Sequence, residues 1–173
     1  MFNSNKLVGL VLIAILIVGG YLFLAPETFA ATDRQEPCTL NEQAVQQIMA
    51  AQQATAKYHS VDAAEADLYH DIFLPIEHMG EHYWKDSLVF DGGAFDPAAP
   101  ELLVYRDIGN GQRRLVAVEY AVPIADSPFG PPEGFSGDCD HWDVFADTFW
   151  TLHAWIWTPN PDGVFSEFNS RVP

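Results

Sequence analysis

The residues best able to do chemistry in this chain are its histidines, His59, His70, His78, His82, His141 and His153. His153 sits in Asp147-Thr-Phe-Trp-Thr-Leu-His-Ala-Trp-Ile-Trp-Thr158, which holds three of the five tryptophans and reads as a strand. Alternation puts Phe149, Thr151, His153, Trp155 and Trp157 on one face, and Trp150, Leu152, Ala154 and Ile156 on the other. A strand apolar on both faces belongs inside a sheet, so His153 needs a buried partner, either a hydrogen-bonding group or a metal. His59 ends a helix, and His82 lies in a loop leading into the sheet. Glu119 sits mid-strand between Ala117 and Ala121, which leave room in front of its carboxylate. His59, His82, His153 and Glu119 therefore form a candidate ligand set drawn from four segments. Imidazole and carboxylate together suit Zn, Mn, Fe or Cu with one position left open. The competing reading makes His59 a helix-end residue near the last carbonyls and His153 a hydrogen-bonded core histidine.

A second candidate is His78-Met-Gly-Glu-His82, which fits the His-x-x-Glu-His pattern of inverted zinc proteases. That pattern needs a helix, and Gly80 with the nearby Pro75 disfavours one. The segment reads better as a loop offering His78 or Met79 as secondary ligands, for copper in particular. No serine lies in a Gly-x-Ser-x-Gly elbow, and neither a nucleotide motif nor a Cys-x-x-Cys-His haem motif occurs. No reaction is assigned on these grounds. The tryptophan row also allows a small-ligand module as a further reading.

The elements that must position these residues predict an α+β domain. Two helices, Asn41 to about Lys57 (capped by Thr39 with Glu42) and Asp62 to about Tyr69, pack on a small, mainly antiparallel sheet. Leu40, Val45, Ile48 and Met49 form one flank of the first helix. Gly109-Asn-Gly111 between Leu102–Arg106 and Leu115–Val122 is a hairpin signal. In the second of these strands Val116, Val118, Tyr120 and Val122 share one face, and Leu115, Ala117, Glu119 and Ala121 the other.

Leu7–Ala25 is an uninterrupted apolar run, preceded by Lys6 and followed by Pro26-Glu27. As a helix it would span about 28 Å, close to the hydrocarbon thickness of a bilayer. Residues 1–30 are thus expected to be a cytoplasmic tip and transmembrane anchor, with a signal peptide ending near Ala30 as the alternative. Residues 31–38 read as a tether and 39–173 as one extracytoplasmic domain on the periplasmic or outer side of the cytoplasmic membrane. The expected partners are the bilayer, through residues 7–25, and other subunits of a membrane complex. After Ala30 the chain carries seven Lys and Arg against twenty-three Asp and Glu, a surface that disfavours nucleic acid and anionic lipid. Cys38 and Cys139, an even pair in an exported domain, are expected to form a disulfide.

Tyr58-His59, Val61-Asp-Ala-Ala, Met79-Gly-Glu-His-Tyr83, Val118-Glu-Tyr120, Leu152-His-Ala-Trp-Ile-Trp and Asn160-Pro-Asp-Gly-Val-Phe165 resemble a group of uncharacterised bacterial exported proteins. The resemblance covers nearly all of the domain from about residue 50, leaving out the leader and the Cys139 loop. It implies no fold, activity or cofactor. The sequence thus leads to two functional expectations: an anchored domain with a buried His/Glu metal site, or an accessory single-span subunit with a structural role.

Overall fold

The computed structural model describes residues 38–173; the expected anchor, tether and cleavage site lie outside the described residues. Among the described residues no helix is long and apolar enough to cross a membrane. The helices come first: α1 (Glu42–Thr55), a 3-10 turn (Ala56–His59) and α2 (Val61–Ala66). The strands are β1 (His70–Asp71), β2 (Glu81–Trp84), β3 (Leu102–Gly109), β4 (Gln112–Pro123), β5 (Asp143–Phe145) and β6 (Phe149–Ala154), with a short α3 (Asp86–Val89) after β2. They form one six-stranded sheet in the order β1-β2-β3-β4-β6-β5, and every pairing is antiparallel.

Helix α1 begins two residues later than the Thr39 cap predicts. Asn41 caps it instead, its side chain accepting from the Ala44 amide at 2.8 Å while its Nδ2 donates to the Ser136 carbonyl. The packing face of α1 is also narrower than the predicted flank. Ala44, Ala51 and Thr55 are buried, whereas Val45 and Met49 are exposed. Ser60 caps α2, in place of the predicted start at Asp62.

The β3–β4 hairpin turns at Asn110-Gly111, where both residues have positive φ, 55° and 71°. Such a turn matches the twist of its strands. Farther along, the register shifts: Val104 pairs with Ala117 but Tyr105 pairs with Leu115. Val116 is the extra residue of a β-bulge, and alternation slips there by one. Leu115 consequently joins Val118, Tyr120, Leu103 and Leu152 in the core beneath the helices. Val116 instead clusters with Val104, Ala117, Trp155 and Val172. The predicted pairing of faces thus fails at Leu115 and Val116, but Ala117, Glu119 and Ala121 keep a common side.

That second side of the sheet has no helix of its own among the described residues. Its cover comes from the turn before β2 and from the C-terminal segment. His78 ties the two together: its Nδ1 donates to the Val172 carbonyl at 2.9 Å, and its own carbonyl accepts from the Asn169 amide at 2.8 Å. Gly80 closes the turn at φ +112°, where an added Cβ would lie 2.4 Å from the Tyr105 carbonyl oxygen. Only glycine fits there. Cys38 and Cys139 are joined with their Cα atoms 5.4 Å apart, tying the start of the domain to the loop before β5.

Candidate metal centre

Four adjacent strands bring the site together. Across β2, β3, β4 and β6, Trp84, Leu102, Glu119 and His153 form one row of directly opposed residues. His82 lies two residues earlier on β2, opposite Val104, so its ring reaches toward Glu119 across β3. On β4, Ala121 lines the cavity beside Glu119, whereas Ala117 packs with Val104, Trp155 and Val172. The strand through His153 ends at Ala154, short of the predicted Thr158. Alternation stops with it. Trp155 remains on the His153 face, its ring stacked at 6.1 Å, but Trp157 packs with the helix-side core.

The result is a buried group of His82, Glu119 and His153 whose ligand atoms all lie within 4.8 Å of one another. Glu119 Oε2 is 3.5 Å from His82 Nε2 and 3.7 Å from His153 Nε2. Both separations exceed hydrogen-bonding distance. They match instead the spacing of ligands around an ion, since donors held about 2.0–2.1 Å from a tetrahedral centre stand about 3.4 Å apart. His82 Nδ1 donates to the Leu74 carbonyl at 3.0 Å, which leaves Nε2 as a lone pair facing Glu119. His153 Nε2 is buried without any hydrogen-bond partner.

Burial sets the protonation state of the group. Burial pushes the Glu119 carboxyl up to about 8, helped by the charges of Glu167 and Asp143. Burial, with a smaller contribution from His82, holds His153 down at about 3, and burial also lowers His82. At neutral pH the bare group is therefore a protonated carboxyl beside two neutral imidazoles, and its close contacts are not ion pairs. A metal ion would supply the positive charge that an ionised Glu119 lacks.

A cavity of about 70 Å³ opens in front of these three residues. Ile72, Leu74, Ile76 and Met79 line it from the turn before β2, and Val144 and Phe145 from β5. Asp143 and Glu167, both half-buried, are its other charged lining groups. These two acids escape sequence reasoning because Asp143 starts a three-residue edge strand and Glu167 lies in an irregular segment. A lone acid amid Val164-Phe-Ser-Glu-Phe168 is the only local hint.

Three of the four predicted ligands meet, and His59 does not. It is exposed at the end of the 3-10 turn, its ring edge-on to Trp157 at 4.4 Å, outside the buried group. His82 belongs to a strand rather than to the predicted loop. His78 is half-exposed and committed to the C-terminal segment, with φ +66°, so His78 and His82 share no helix of the inverted-protease kind. Met79, buried, lines the cavity. His70 and His141 are exposed beside Asp86 and Asp143. Searches of protein-family models, curated proteins and solved structures found no match to this chain.

Proposed function

We propose that this domain binds a transition-metal ion through His82 Nε2, Glu119 and His153 Nε2. The observation that carries the reading is His153 Nε2, a fully buried ring nitrogen with no partner, 3.7 Å from a carboxylate that is itself buried. Leaving such a group unsatisfied costs about 1–3 kcal/mol, which a bound ion would recover. Two imidazoles and one carboxylate suit Zn, Fe, Mn or Cu, and three protein ligands leave a coordination position facing the cavity. An ion so held can polarise a bound ligand or acidify a bound water. The apolar run 7–25 and the acidic domain fit an anchored site outside the cytoplasmic membrane.

The test is elemental analysis of the full chain purified without chelator. Near-stoichiometric metal, lost in His153→Ala and retained in His59→Ala, is the expected result. Metal-free protein whose unfolding EDTA leaves unchanged would overturn the reading.

The apolar run 7–25 ahead of a small domain supports a second reading, an accessory single-span subunit of a membrane complex. Native electrophoresis in mild detergent separates the two. A large assembly without bound metal supports the subunit, and a lone small particle counts against it.

A further inference from the structure

The cavity in front of His82, Glu119 and His153 has a shape and a charge that select what reaches the open position. At about 70 Å³ it is roughly half the size of a cavity that takes benzene, about 150 Å³. Its walls are mostly carbon: Ile72, Leu74, Ile76, Leu102 and Phe149 among them. Beyond the three buried residues its charged lining consists of two carboxylates, Asp143 and Glu167. His141, outside the lining, is exposed and stands 3.6 Å from Asp143 Oδ2. Among the described residues no Lys or Arg lines the cavity. A site for phosphate, carboxylate or another anion would be built the other way, with cationic or backbone N–H groups toward the ligand.

Building on the metal reading above, we infer that the open position takes small uncharged molecules of a few heavy atoms, the size class of dioxygen, and that Asp143 and Glu167 exclude anions from it. The apolar walls bind such molecules without a desolvation cost. The two carboxylates raise the energy of any anion crossing them, by Coulomb repulsion in a partly dry passage. They attract the cation that the site must first load. One pair of side chains thus admits the metal and filters its ligands.

The experiment uses the full chain loaded anaerobically with Fe²⁺, with nitric oxide as the neutral probe and azide as the anionic one. Binding of nitric oxide is followed by the electron-spin resonance of the iron–nitrosyl centre, and azide by its effect on that signal. The expected result is ready nitrosyl formation and weak azide binding. In Asp143→Asn/Glu167→Gln, azide should tighten by at least about tenfold, the effect of removing two negative charges from the cavity lining, while nitric oxide is unchanged. Each single variant should give part of the gain.

Iron uptake without nitrosyl formation, or azide binding equally well to wild type and double variant, overturns this inference alone. Failure to take up any metal overturns the metal reading, and this inference with it.

Discussion

Replacing Glu119 by glutamine tests the site through folding, with no assumption about activity. In the metal-free protein Glu119 ionises at about 8 when folded and near 4.5 when unfolded. The folded state therefore holds a proton that the unfolded state releases, so stability is full below about pH 4.5 and falls as pH rises toward 8. Each pH unit in that window removes about 1.4 kcal/mol, at most about 5 kcal/mol in all. His153 opposes it: its folded value of about 3, below the usual 6.5, removes stability as pH falls from 6.5 toward 3. His82, also lowered by burial, acts in the same direction as His153, so the histidines offset the Glu119 slope below about pH 6.5, and above 6.5 the Glu119 slope stands uncompensated by them. Glu101, buried away from the site and also raised to about 8, adds a slope of its own that the variant keeps. Between pH 6.5 and 8, Glu119→Gln in EDTA should thus gain about 2 kcal/mol relative to wild type. Urea unfolding followed by tryptophan fluorescence at half-unit pH intervals measures this. Added metal should stabilise wild type increasingly as pH rises, because the ion needs the ionised carboxylate, and should leave the variant unmoved. Parallel pH curves for the two metal-free proteins would refute the buried, uncompensated carboxyl on which the site is argued.

Gly80→Ala should lower stability by more than about 2 kcal/mol in the same unfolding assay, since its Cβ meets a β3 carbonyl oxygen at 2.4 Å. Because Gly80 leads directly into β2, metal affinity should fall as well. Reducing the Cys38–Cys139 bond, or replacing both residues by serine, should cost up to about 4–5 kcal/mol for a sequence separation of 101, by the midpoint of denaturation. Metal stoichiometry at low temperature should survive it. His59→Ala should cost about 0.5–1.5 kcal/mol through its lost contact with Trp157, with metal content unchanged.

Much of this site is legible in the sequence wherever short-range rules govern it. The Asn-Gly turn signals the hairpin that carries Glu119, and strand alternation gives the facing of both Glu119 and His153. Nothing local marks the Val116 bulge, which arises from fitting β4 against β3 and moves Leu115 to the helix side. Residues 74–83 look like a loop because Pro75 and Gly80 interrupt them. Yet a tight turn between Ile76 and Gly80 frees Glu81 to Trp84 to pair with β3. His59 fails for a related reason. A histidine at a helix end can face any direction the next turn allows, and here that direction is Trp157. Asp143 and Glu167 reach the cavity from opposite sides of the Pro159–Gly163 turn, a long-range meeting that no periodicity encodes.

The stitching of His78 to the C-terminal segment bears on how fast an ion could come and go. Glu119 and His153 belong to two strands paired to each other within the sheet, whose amides should be among the slowest in the domain to exchange with deuterium. The cover above them, joined across its two segments by the hydrogen bonds of His78 and Asn169 and lying outside the strand ladder, should open more often than the sheet. Release of the ion would then follow the opening of the cover, on a clock separate from the lifetime of the fold.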